Sequence, residues 1–270
     1  MVFESSSEAV VFQVEAGVAR IVLNRPKAGN AVTRAMAKAL SEIWAEVGRD
    51  PDIRVAIFRG AGERHLCTGA AAEALGSQAG EARRMDMPRS EGANWTARHC
   101  GIWKPVICIV NGLVAGGGLH HVVDADIVVA AAHAQFMDTH VNVGQVGALD
   151  AIGVAKRAGL GAALTMTLAG KGYRMDAARA YQLGLADFLE PTVEAAEARA
   201  LALAQAICEA SPRAVELSQR AIWESLEMSH EAALEHGWSL IKSHWPHPDC
   251  TEGPRAFRER RKPVWARGGT

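Results

Sequence analysis

Three consecutive glycines, Gly116-Gly117-Gly118, lie in a turn from Asn111 that follows the apolar run Pro105 to Val110 and leads into Leu119-His120-His121. Glycines at that point let the backbone approach a ligand closely, with N–H groups free at a helix N-terminus. Such a terminus stabilises an anion, either a phosphate or an oxyanion formed during a reaction. A second glycine-bearing turn runs from Gly60-Ala61-Gly62 to Cys67-Thr68-Gly69-Ala70-Ala71. The glycine triplet lacks the GxGxxG spacing of a dinucleotide site, and no GK[ST] follows to make a Walker loop. A tight packing turn is the plain alternative. Of the adjacent imidazoles His120 and His121, only one can face a site from a helix, so the other is expected to pack or to face solvent. No His, Asp, Glu or Cys set has metal-ligand spacing along the chain, and no metal is expected.

The elements around these residues read as α/β. Val10 to Val14 and Val18 to Leu23 alternate around Glu15-Ala16-Gly17 as a hairpin. Thr33 to Val47 is an amphipathic helix with Thr33 as its N-cap and Met36, Leu40, Ile43, Trp44 and Val47 on one face. Arg54 to Phe58, Pro105 to Val110 and Ile127 to Ala131 look like strands covered on both faces. Strands alternating with helices predict a parallel sheet with crossover connections. From Ala177 the strand signal disappears; helices are expected over 195–209, 213–225 and 230–243. Residues 76–90, rich in Gly, charge and Met, are expected to form a mobile loop or lid.

The 270 residues carry 29 Lys plus Arg against 30 Asp plus Glu, a net charge of −1. That balance gives no global attraction to nucleic acid or acidic membrane, and neither is expected as a partner. Arg258 to Lys262 is a local basic cluster, read as a solvated helix end or a phosphate contact for a small ligand. Five cysteines without CxxC spacing argue against a disulfide scaffold and for a reducing compartment. Without a signal-like N-terminus or a long apolar run, the expected location is cytoplasmic.

Leu23-Asn24-Arg25-Pro26-Lys27-Ala28-Gly29-Asn30-Ala31, Cys67-Thr68-Gly69-Ala70, Val110-Asn111-Gly112 to Gly118, Asp126-Ile127, Ala134-Gln135-Phe136 and the tail Thr251 to Phe257 form an ordered series. This series resembles the motifs of the crotonase superfamily, the enoyl-CoA hydratases and isomerases, from about Val10 to Trp265. The resemblance implies a spiral of ββα units over residues 1–190 and a C-terminal helical region over 191–270. It also implies trimers or dimers of trimers, and an acyl-CoA thioester as substrate with CoA as its only cofactor-like part. By position, the two backbone N–H donors for the thioester carbonyl fall at Ala70 and Gly117. Lys27 and Ala28, with Gly69 and Gly116, fall at substrate and CoA contacts.

The chain departs from the family where chemistry is decided. Hydratases carry a Glu two residues after the glycine triplet and another after the Ala-Gln-Phe segment. Here those positions hold His120 and His140. Two imidazoles, one neutral and one protonated, can divide the work of two carboxylates. They can equally activate water for attack on a carbonyl carbon. Asp138 and Asp150 are the nearby carboxylates able to orient His140, as an acid orients histidine in a hydrolytic triad. Cys67, beside the oxyanion position, is a small packing residue or, less simply, a nucleophile. Ala71-Ala72-Glu73 replaces a segment in which the family often has Lys, removing one phosphate-side charge.

Three readings follow. The leading one is a hydratase or isomerase that holds an enolate at Ala70 and Gly117. The second is a hydrolase or retro-Claisen enzyme cleaving a β-dicarbonyl compound. The third is a catalytically silent oligomeric binding protein, which the titratable pair at 120 and 140 disfavours.

Overall fold

A computed structural model of the chain describes residues 7–72 and 94–267. The loop expected at 76–90 and Glu73 lie outside the described residues.

The expected hairpin is β1 (Val10–Glu15) and β2 (Val18–Leu23), with Val10 opposite Leu23 and Glu15 opposite Val18. Ala16 (φ 50°) and Gly17 (φ 83°) make the left-handed two-residue turn that matches strand twist. Thr33 caps α1 (Arg34–Arg49) by accepting from the Met36 N–H at 3.2 Å. The predicted apolar face, joined by Ala39, is fully buried.

The chain then alternates between two sheets. β3 (Val55–Gly60), β5 (Val106–Val110) and β7 (Ile127–Ala131) extend β2 in parallel. Between them β4 (His65–Cys67), β6 (Leu113–Ala115) and β8 (Gln135–Met137) build a second parallel sheet. Each turn of chain gives one strand to each sheet, so the backbone advances as the expected spiral. β9 (Met175–Asp176) closes the small sheet antiparallel to β8, and β10 (Phe188–Glu190) joins β7 in the large one. β10 corrects the expectation that strands end before Ala177. Its three half-buried residues are too few to show a period in sequence.

Two buried asparagines turn the corners between the sheets. Asn30 Nδ2 donates to the carbonyls of Ala61 (3.1 Å) and His65 (2.8 Å). Asn111 accepts from the Gly60 N–H at 3.1 Å and donates to the carbonyls of Gly62 (2.6 Å) and His65 (3.2 Å). Both satisfy backbone groups that water cannot reach.

Helices complete the described chain. They are α2 (His120–Val123), α3 (Leu149–Ala158), α4 (Leu160–Ala169), α5 (Ala177–Leu183), α6 (Val193–Glu209), α7 (Pro212–Ser225), α8 (His230–His244) and α9 (Asp249–Glu259). α6 lays Ala196, Ala200 and Ala204 against Val18, Val55, Ile107 and Val129 of the large sheet, while the main core fills the space on its other face. On α8, Leu234, Trp238 and Ile241 stay exposed. Trp223 does not join that apolar face: its Nε1 donates to Asp126 Oδ1 at 2.6 Å. The basic cluster is partly consumed by structure, since Arg261 donates to both oxygens of Glu252 (2.5 and 3.0 Å) and to Glu259 (2.6 Å). No described helix is long and apolar enough to cross a membrane.

Candidate active site

The glycine triplet forms a 3₁₀ turn over Gly116–Leu119 that runs into α2. A side chain is excluded at Gly118, where a Cβ would lie 2.4 Å from the Cys67 carbonyl oxygen. The turn therefore packs directly on the end of β4. Gly69, at φ +88°, leans over it, and a Cβ there would lie 3.0 Å from the Gly117 nitrogen. Ala70 bridges Val32 in parallel: the Val32 N–H donates to Gly69 O (2.8 Å) and the Ala71 N–H to Val32 O (2.9 Å). That pattern turns the Ala70 N–H away from Val32. Gly117 precedes the first donor of its turn, so its N–H also has no partner within it. Both expected donors are thus adjacent to the Gly69–Gly117 contact.

The 3₁₀ turn Pro26–Ala28 is tied to the same place. Gly29 accepts from the Thr68 N–H at 3.1 Å, and a Cβ on Gly29 would strike the Thr68 hydroxyl at 2.8 Å. Lys27 and Ala28 are exposed beside it, and Lys27 has no ion pair among the described residues.

His140 opens a 3₁₀ turn after β8. Its ring Nδ1 lies 2.7 Å from Asp138 Oδ1, and its backbone N–H donates to that same oxygen at 2.9 Å. Asp150, in the first turn of α3, brings Oδ2 to 3.6 Å from Nδ1. Both carboxylates are buried. The hydrogen bond to Asp138 raises the His140 pKa above the ordinary imidazole value; burial opposes this and the Asp150 charge adds to it. Burial pushes the Asp138 carboxyl up, but the His140 hydrogen bonds outweigh it and hold it low. Burial leaves Asp150 raised. With Nδ1 on Asp138, Nε2 is the nitrogen open to a substrate. The ring lies against the glycine turn, its Cε1 being 3.8 Å from where Gly116 would carry a Cβ.

His120 is 8% exposed and has the opposite electrostatic setting. Burial, then the neighbouring His99 and His140, lower its pKa to about 4, so it is neutral near pH 7. His121 is the packing member of the pair. It stacks on Phe58 (4.1 Å between ring centroids, 21° between planes) and on Trp95 (6.4 Å, 20°), and burial takes its pKa to about 3.

Three residues here carry no sequence signal. Trp95 stands edge-on to His120 at 6.4 Å, and its ring lies 3.2 Å from the position of a Cβ on Gly117. Its carbonyl accepts from Trp44 Nε1 at 2.9 Å, which anchors it to α1. The His99 ring is 4.9 Å from that of His120, and its Nε2 is 3.2 Å from Asp124 Oδ2. Trp95 and His99 come from an irregular stretch with no period, and Asp124 follows α2, so nothing in their spacing marks them.

Metal-like spacing is absent along the chain, but among the described residues the fold gathers two sets whose nitrogen and oxygen atoms lie within 4.8 Å: His99, His120 and Asp124, and Asp138, His140 and Asp150. The 2.7 Å contact of His140 with Asp138 is that of a hydrogen bond with the proton between the atoms. Cys67 is fully buried and its thiol is pushed up to about 12, which removes it as a nucleophile.

The family profile described as enoyl-CoA hydratase/isomerase matches residues 13–268. The (E)-benzylidenesuccinyl-CoA hydratase of Thauera aromatica is 32% identical, over 95% of this chain and 98% of that protein. Carnitinyl-CoA dehydratase of Citrobacter koseri is 33% identical, over 96% of this chain and 98% of its own. An enoyl-CoA hydratase/isomerase crystal structure from Mycobacterium paratuberculosis superposes with a TM-score of 0.86 at 31% identity, covering 97% of this chain and 100% of that one.

Proposed function

The chain belongs to the enoyl-CoA hydratase/isomerase family, and from that premise we propose that it adds water to, or removes it from, an acyl-CoA thioester through an enolate. The similarity to proteins named as a hydratase and as a dehydratase supports this direction over isomerisation. The observation that carries it is His140, gripped by Asp138 at 2.7 Å with Nε2 left open beside the glycine turn.

In this reading the thioester carbonyl accepts from the Ala70 and Gly117 N–H groups. Each such donor contributes roughly 3–4 kcal/mol when charge develops on the oxygen. His140, whose protonated form its carboxylates favour, delivers a proton to the α-carbon. His120, neutral because it is buried, takes a proton from the water that attacks the β-carbon. Lys27 and Ala28 would meet the CoA moiety, and no other cofactor is required. Trimers or dimers of trimers in the cytoplasm complete the proposal.

The test is a panel of aliphatic and aryl enoyl-CoA thioesters, with mass spectrometry for the 3-hydroxyacyl-CoA product. Failure to hydrate any of them, or to dehydrate the 3-hydroxy forms, would sink the proposal. The same His140–Asp138 pair also suits water attack on a carbonyl, which keeps a β-dicarbonyl hydrolase as the second reading. Parallel assays with β-diketones and their CoA esters decide between the two by whether a carbon–carbon bond breaks.

A further inference from the structure

When His120 takes a proton from water, its buried ring must pass one on. We propose that His99 and Asp124 form a relay behind His120 that carries this proton to a solvent groove lined by all three residues. The proposal rests on the hydratase reading above.

The geometry has four parts. First, the His120 and His99 rings meet at 4.9 Å with 69° between their planes, and one nitrogen or oxygen of each relay member lies within 4.8 Å of the others. Second, Asp124 Oδ2 is fixed by the Thr96 hydroxyl, which donates at 2.9 Å, and it faces His99 Nε2 at 3.2 Å. A carboxylate at this distance favours the proton on His99 Nε2 and the lone pair at Nδ1. Third, that Nδ1 is buried and has no hydrogen-bond partner among the described residues. A buried, unsatisfied imidazole nitrogen is costly, and its presence needs an explanation. A transient proton from His120 supplies one. Fourth, His99, His120 and Asp124 line a groove of about 870 Å³ that also reaches Lys156 and Trp223. Asp124 is faced as well by Arg98 and Arg157, whose charges favour its carboxylate while burial raises its pKa.

The protons balance. As the C–O bond forms at the β-carbon, the water O–H breaks and its proton enters one His120 nitrogen. The proton on the other His120 nitrogen passes to His99 Nδ1. The His99 Nε2 proton passes to Asp124 and leaves through the groove. His140, having given its proton to the α-carbon, takes one back from solvent. After product leaves, a proton returns along the same path in the opposite sense, from the groove to His99 Nε2, from His99 Nδ1 to His120, and from the substrate-side nitrogen of His120 to solvent. Both rings thus regain their starting tautomers and no net charge accumulates. His99 and Asp124 touch no reacting atom and act through His120.

The alternative is that Thr96, Asp124 and His99 are only a strut. Substitutions in the full chain separate the two, assayed with whichever enoyl-CoA thioester the wild type hydrates best. His99→Gln can keep a polar contact with Asp124 but cannot relay a proton. It is expected to lose about 10- to 100-fold in kcat with little change in KM. His99→Ala should lose as much and recover several-fold, saturably, when 4-methylimidazole is added. His99→Phe, which fills the space, should not recover. Long-range proton–nitrogen NMR of the wild type should show His99 protonated at Nε2 and bare at Nδ1. Wild-type kcat in His99→Gln, or a loss in His99→Ala that no imidazole restores, overturns the relay alone. A wild type inactive on every thioester overturns the hydratase reading and the relay together.

Discussion

His140 gives both its ring Nδ1 and its backbone N–H to one oxygen of Asp138, at 2.7 and 2.9 Å. Two donors from one residue on one buried carboxylate oxygen fix the ring and keep its proton. The imidazole is thereby made a stronger base than free histidine, whereas His120, within electrostatic reach of it, is made a weaker one.

This opposition predicts the pH dependence of turnover. If charged His140 is the acid, kcat falls as pH rises through its raised pKa. Asp138→Asn removes the main cause of the shift, so the alkaline limb should move to lower pH and kcat should drop by about 100-fold or more. The stability linked to His140 has the same sign: it is fully present below about pH 6.5 and fades as pH rises through the folded value. Rate profiles of wild type and Asp138→Asn that share one alkaline limb would refute the assignment.

His121 predicts an acid-side loss of stability. The unfolded imidazole takes up a proton below about pH 6.5, whereas the folded one stays neutral down to about 3. The unfolded state binds more protons across that window, so stability should fall as pH drops from about 6.5 toward 4. His121→Phe keeps the stack on Phe58 and should flatten the slope; His121→Ala should cost about 2–4 kcal/mol through the cavity it leaves. Urea titrations at several pH values are the measurement, and equal slopes for wild type and His121→Phe would contradict it.

Gly69 predicts a separation of catalysis from CoA binding. A methyl group there would lie 3.0 Å from the Gly117 nitrogen and cover that N–H. Gly69→Ala should lower kcat by about 10²–10³-fold, the usual loss of one oxyanion donor. Calorimetric affinity for free CoA, which lacks the acyl carbonyl, should change little. An unchanged kcat in a folded variant would remove Gly117 from the site.

The exposed face of α8 predicts assembly. Leu234, Trp238 and Ile241 are 56%, 47% and 50% exposed, a cluster that a lone chain would leave wet. Light scattering should give trimers or hexamers, and Trp238→Glu should shift them to smaller species. A monomer mass for the wild type at micromolar concentration would refute this.

How much was legible depended on whether a feature repeats. The α1 face and the run Ile127 to Ala131 were readable because several residues obey one period. β10, with three residues, had none to obey. Within the site, the glycine turns and His120 and His140 were found through an ordered motif series, and the Asp138–His140 pair by nearness in sequence. Asp150 reaches the same imidazole only because α3 folds back over it. His99 and Asp124 meet across 25 positions of chain, joined by two strands, a turn and a helix whose packing no local pattern encodes.

The asparagine at the β5 corner bears on how the protein ages. Asn111 precedes Gly112, and an Asn-Gly pair in a flexible peptide cyclises readily to a succinimide, because glycine leaves its N–H unhindered. Here the amide is locked by three hydrogen bonds, and the Gly112 backbone is pressed against Glu63 and Arg64. Cyclisation at Asn111 therefore requires that corner to open first. The extent of deamidation at this one residue, followed by peptide mass mapping of stored samples, becomes an internal clock for how long that corner has stood open.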